Sequence, residues 1–186
     1  MKGVVFNLLE TVVAEAHGAD AWDDLLDAAG VGGVYTSLGN YDDEEMEKLV
    51  ACAAATLELS RDEVLRWFGR QAIPRLAELY PDFFRPHRSA RPFVEGVNDV
   101  IHAEVRKLYT GAHCPHFGIR QTAGGVSLGY RSSRRMCALA QGFIEGAAAY
   151  YCETIEVEHL SCVEHGDAAC EIAIRWVEAA ARERTA

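Results

Sequence analysis

Apolar residues recur three and four apart along most of the first two thirds of the chain. Segments 1–17, 19–29, 42–55, 60–80 and 92–109 all follow this spacing, which puts their apolar side chains on one face of a helix. Local signals agree. "YDDEEMEKLV" (41–50) places acids in a first helical turn, where they complement the helix dipole. Ser60 stands three residues before Glu63, the pattern of a capping box. Pro74 falls inside the 60–80 segment and predicts a kink or an early end there.

The period changes near Gly111. "HFGIRQTAGGVSLGYRSS" (116–133) holds two short alternating runs around Gly124-Gly125, which predicts a hairpin. A helix is expected over about 134–151. "TIEVEHL" (154–160) and "CEIAIRWV" (170–177) then alternate with period two around "EHGDAA", a second hairpin. Many helices followed by a small antiparallel sheet with one helix packed on it is an α+β chain. Its 186 residues fit a single domain.

Charge and composition narrow the function. A formal charge of −10 argues against a nucleic-acid surface, which is basic. No run of eighteen apolar residues exists, so no membrane span is expected. Asn7 and Glu10 interrupt the apolar N-terminal stretch and no small-residue cleavage site follows, so no signal peptide is read there. A reducing, cytoplasmic setting follows, in which the six cysteines are thiols or metal ligands rather than disulfides.

Two features carry candidate chemistry. Residues 128–134 read as a strand end, so Tyr130, Ser132 and Arg134 are expected to share one face. A guanidinium fork with two hydroxyls suits a ligand bearing acidic groups; the plainer alternative is a solvated strand end. His102 sits mid-helix, at the edge of the stripe Val94, Val97, Ile101, Val105, Leu108. Such a histidine is either packed in a core or a ligand, and an imidazole facing an apolar cavity is what an axial haem ligand requires. A haem also carries two propionates, so the two features complement each other.

With "MKG" at the start, "GRQAI" at 69–73, "YPDFF" at 80–84, the His102 helix, Pro115 and Y-x-S-x-R at 130–134, the sequence resembles the H-NOX domain over nearly its whole length. This is the haem nitric oxide/oxygen-binding family that includes the sensor domain of soluble guanylate cyclase. The resemblance implies haem b, with His102 as proximal iron ligand and Tyr130, Ser132 and Arg134 on the propionates. Pro115 would press on the macrocycle. A helical distal subdomain, about 1–65, and a proximal subdomain, about 66–186, would enclose the haem. Dioxygen-binding members place a distal Tyr nine residues after the motif's Tyr, supported by a Trp and an Asn. The matching positions here are Leu139, Leu9 and Ala72, all apolar, with Val5 and Leu76 completing the expected distal pocket. Bound O2 needs a hydrogen-bond donor and NO does not, so the implied ligands are NO and CO without O2.

Cys137, His159, Cys162 and Cys170 have ligand types suited to tetrahedral zinc. Strict alternation puts Cys162 opposite His159, so the chain must bulge there, or His165 must substitute. Scattered core thiols and a Cys162–Cys170 disulfide are the alternatives by spacing alone. A zinc-containing subset of bacterial H-NOX domains has this order of ligands. The family further implies a non-enzymatic sensor. NO would weaken the bond from His102 to iron, the haem would relax, and the signal would pass to a separate effector, a sensor histidine kinase or a cyclic-di-GMP enzyme. Competing readings are a zinc–thiol redox sensor, a haem peroxidase and a haemless domain for an acidic ligand. The apolar distal set argues against the peroxidase. "CVEHGDAAC" (162–170) resembles the ending of V4R-type ligand-binding domains, which keeps the haemless reading open, although that reading leaves His102 unexplained.

Overall fold

A computed structural model describes residues 1–109 and 111–177. The N-terminal half holds α1 (Gly3–His17), α2 (Asp20–Ala29), α3 (Asp43–Leu57) and α4 (Arg61–Leu79). Asp43, Glu44 and Glu45 occupy the first turn of α3. At the start of α4 the Ser60 side chain accepts from the Glu63 N–H while the Glu63 carboxylate accepts from the Ser60 N–H, the reciprocal cap read from the sequence. α4 continues through Pro74 without ending. The short α5 (Pro81–Phe84) and α6 (Ala90–Glu95) follow.

The helix expected over 92–109 is not continuous. α6 passes into a π turn, Val97–Ile101, and only then into α7 (His102–Leu108). Strands β1 (His116–Thr122) and β2 (Gly125–Arg131) form the first hairpin, α8 (Cys137–Tyr150) crosses back, and β3 (Thr154–Ser161) and β4 (Cys170–Val177) form the second. The four strands make one antiparallel sheet in the order β1-β2-β4-β3. The α+β class holds.

Burial divides into two clusters. Phe6, Trp22, Met46, Leu49, Leu65 and Phe68 fill the space among α1–α4. Val126, Leu128, Ile172 and Ile174 point from the sheet onto Ala140, Ile144 and Ala147 of α8. α4 and α8 serve both clusters. Leu65, Phe68 and Ala72 face the helical core while Ile73 and Ala77 face the sheet core, and Leu139 and Ala140 of α8 divide in the same way.

The two helices meet backbone to backbone. A Cβ on Gly69 would lie 2.6 Å from the Leu139 carbonyl oxygen, and one on Gly146 2.8 Å from that of Arg70. At Gly142 the Arg66 carbonyl is closer still. Only hydrogen fits at these three positions. Beside the crossing, Glu145 of α8 takes an ion pair from Arg66 of α4 at 2.7 Å. Among the described residues, no helix is long and apolar enough to cross a membrane.

Replacing Gly142 by Ala is expected to destabilise the protein by about 1–3 kcal/mol, the usual cost of overpacking a tight core. Urea unfolding of the two proteins side by side measures it. An unchanged midpoint would mean that the helices part easily.

Candidate functional site

A cavity of about 630 Å³ opens between the helical layer and the sheet, lined mostly by apolar side chains. Val5 and Leu8 of α1, Ile73 and Leu76 of α4, and Leu139 and Phe143 of α8 form one wall. Val97, Ile101, His102 and Val105, with Pro115 and Phe117, form the wall facing them in the chain's second half. Tyr130, Ser132 and Arg134 close a polar end.

His102 is the first residue of α7, directly after the π turn. Burial, and after it the Arg106 guanidinium, push its pKa down to about 4; the Pro115 carbonyl works against them, and His116 adds a smaller push down. The ring is therefore neutral at physiological pH, the form that binds metals. Its Nδ1 is buried with no hydrogen-bond partner among the described residues. The Phe117 ring lies 5.5 Å from it, centre to centre.

The polar end is assembled differently from the sequence expectation. β2 stops at Arg131, so Ser132 and Arg134 are not on a strand face. A turn after the strand brings them round, held by the Arg134 N–H donating to the Ser132 Oγ at 3.2 Å. Arg134 Nε lies 2.7 Å from an Asp43 carboxylate oxygen, and its Nη1 donates to the His113 carbonyl. Burial acts to raise the Asp43 pKa, but the Met1 ammonium and Arg134 together hold its carboxyl below the usual range. The Tyr130 hydroxyl accepts from the Met136 N–H at 3.3 Å. Burial raises the Tyr130 pKa, so the phenol keeps its proton and can donate.

Of the expected distal residues, Val5, Leu76 and Leu139 line the cavity. Leu9 and Ala72 do not; they are buried behind it in the helical core. Sequence reasoning missed Tyr80 and Tyr109, whose hydroxyls lie 3.2 Å apart at the cavity edge, and Phe117. Phe117 was readable as an inward position of β1, opposite Tyr130 in the register.

A second constellation lies behind Tyr130. The sulfurs of Cys137, Cys162 and Cys170 all lie within 4.8 Å of one another, and all three residues are buried. Cys137 and Cys162 are 3.4 Å apart and Cys162 and Cys170 3.9 Å, so these are thiols in contact and not a disulfide. Burial pushes the Cys137 thiol pKa up, and its two neighbours add to the shift. The Val163 N–H donates to the Cys170 sulfur at 3.4 Å. The ladder between β3 and β4 slips between His159 and Ser161, which is the bulge that Cys162 needs in order to turn inward. His159 stands outside the sulfur set, but its Nε2 is buried without a hydrogen-bond partner among the described residues. His165 is exposed.

Residues 2–159 match the model of the Haem-NO-binding family. The chain belongs to the H-NOX family. An H-NOX protein from S. oneidensis in the Fe(II)NO ligation state is 31% identical, with a TM-score of 0.89 over 95% of this chain and 99% of that one. An H-NOX domain from Shewanella oneidensis in the Fe(II)CO ligation state is 31% identical, with a TM-score of 0.86 over 96% and 100%. The Fe(II) unliganded H-NOX protein from K. algicida is 26% identical, with a TM-score of 0.83 over 96% and 98%. The haem of this family fits the residues present. A neutral imidazole with an orphaned nitrogen faces an apolar cavity, whose polar end carries a cation and two hydroxyls.

The Tyr130 hydroxyl has a measurable structural share in this H-NOX domain. Tyr130→Phe leaves the buried Met136 N–H without an acceptor and is expected to cost about 1–3 kcal/mol in the haem-free protein. Denaturant titration of the two apoproteins tests this.

Proposed function

We propose that this H-NOX domain is a non-enzymatic haem b sensor that binds NO and CO at ferrous iron and excludes O2. The observation that carries the reading is His102, half-buried and neutral against an apolar cavity that Tyr130, Ser132 and Arg134 also line. Haem, when bound, would supply an iron that binds diatomic gases, and His102 would hold that iron. Arg134 offers its guanidinium, and Tyr130 and Ser132 their hydroxyls, to the propionates. Pro115 bears on the same wall as His102. Leu139, Val5 and Leu76 give the gas side no hydrogen-bond donor, with Leu9 and Ala72 as apolar packing behind them. Tyr80 and Tyr109 also line the cavity; the bond between their hydroxyls uses one of their two hydrogens and leaves the other to donate elsewhere.

Signal output follows from the joint between subdomains of about 1–65 and 66–186. If NO weakened the hold on His102, α7, which His102 opens, would be free to shift against the helical layer. NO drives this only by its different affinity for the two states. The family resemblance points to a separate effector, a sensor histidine kinase or a cyclic-di-GMP enzyme, in the cytoplasm. The unpaired thiols fit that compartment.

The thiol cluster supports a second reading beside the first. We infer Zn(II) on Cys137, Cys162 and Cys170, with His159 as fourth ligand through its orphaned nitrogen. The bulge at His159/Ser161 favours Cys162 over His165 as a ligand. Oxidation of such thiolates releases the metal, which gives a redox input alongside the gas.

Absorption spectra of the reduced, haem-loaded protein are expected to stay unchanged in air and to shift under NO; a stable oxy spectrum would overturn the selectivity. Leu139→Tyr, which puts a donor on that wall, is expected to confer O2 binding in the same assay. Metal analysis should find one zinc per chain, lost in Cys162→Ser and after peroxide. Replacing His102 by Gly with imidazole supplied should mimic the NO-bound signalling state.

A further inference from the structure

Asn98 lies in the π turn, four residues before His102, and no role described above uses it. Its carboxamide meets a single residue of β1 at both backbone groups. Asn98 Nδ2 donates to the Phe117 carbonyl at 2.5 Å, and the Phe117 N–H donates to Asn98 Oδ1 at 3.1 Å. β1 is an edge strand, and these are edge groups turned away from β2. The Asn98 side chain therefore pairs with them as the peptide of a further strand would.

Two more contacts make Asn98 a joint. Arg106, on the turn of α7 after His102, donates through Nη2 to the Asn98 carbonyl at 3.3 Å. The backbone of Asn98 is thus tied to the helix that follows, while its side chain is tied to the sheet. Phe117, whose backbone the carboxamide grips, sets its ring 5.5 Å from the His102 imidazole and 5.9 Å from the Tyr130 ring. One side chain fixes both the turn that launches α7 and the aromatic surface against which the imidazole rests. π turns are uncommon, and they recur where a helix must present a functional group.

We propose that Asn98 is the positioning residue for the axial imidazole: by docking the π turn on the edge of β1 it sets how deeply His102 stands in the cavity and resists the departure of α7. This rests on the haem reading above. Groups that orient a metal ligand without touching the metal change its grip substantially when removed, commonly by 10–100-fold in affinity. Asn98 acts one contact further out, so the lower end applies.

The experiment uses the haem-loaded chain and two variants, Asn98→Ala and Asn98→Asp. The first removes both bonds to Phe117. The second is nearly isosteric, keeps the acceptor for the Phe117 N–H and sets an oxygen against the Phe117 carbonyl, so it breaks the same joint by repulsion without opening a cavity. The readouts are the iron–histidine stretching frequency of the reduced, unliganded protein by resonance Raman and the rate of haem transfer to apomyoglobin. Both variants are expected to show a lower stretching frequency, and Ala a haem loss on the order of 10-fold faster. A variant that keeps the wild-type frequency and rate, even with a lower melting temperature, would show that Asn98 is only structural and overturn the proposal. A wild-type protein with no iron–histidine band would instead overturn the haem reading itself, which separates the two failures.

Discussion

Backbone contact between α4 and α8 is the constraint on which the cavity depends. Two hydrophobic clusters share these helices, and each helix turns one face to each cluster. Gly69, Gly142 and Gly146 let the carbonyls of one helix touch the other, so the helices form a fixed spine. Leu76 reaches the cavity from one side of that spine, and Leu139 and Phe143 from the other. A spine without side chains at the contact has little freedom to breathe. Motion is then left to the parts attached to it less closely: α1 on one flank, and the π turn with α7 on the other.

The electrostatics of the cavity follow from the same packing. Apolar walls desolvate much of the His102 ring, and a desolvated imidazole gives up its proton more readily. Arg134, which lines the cavity, is paired with Asp43 of α3. The guanidinium is not waiting free in solvent. An acidic group that took the place of Asp43 there would loosen a tie between the helical layer and the turn after β2.

Local chemistry was legible in the sequence; geometry that depends on distant parts of the chain was not. The Ser60 cap, the acids opening α3, both hairpins and the helix between them rest on neighbours within a few residues, and the chain shows them where the pattern placed them. The π turn was invisible because its cause lies elsewhere: Asn98 finds its partner on an edge strand nineteen residues away. Tyr130, Ser132 and Arg134 do converge, but through a turn and not through strand alternation, since β2 ends before the second of them. Leu9 and Ala72 show the limit of reasoning by equivalent positions. Their burial was readable from the helical period, but whether a buried residue touches the cavity or stands one layer behind depends on helix rotation, which periodicity leaves open.

One wall is shared by the cavity and the thiol cluster. Tyr130 lies opposite Cys170 in the β2–β4 register, and its hydroxyl holds the N–H of Met136, the residue before Cys137. The thiol cluster and the cavity thus meet at the same residues of β2 and β4. Thermodynamic reciprocity governs whatever passes between them: if filling one strengthens the grip of the other by some factor, filling the second strengthens the first by the same factor. Where that wall couples them, a change in the supply of metal or oxidant would also change, without touching the cavity, how much ligand the protein holds.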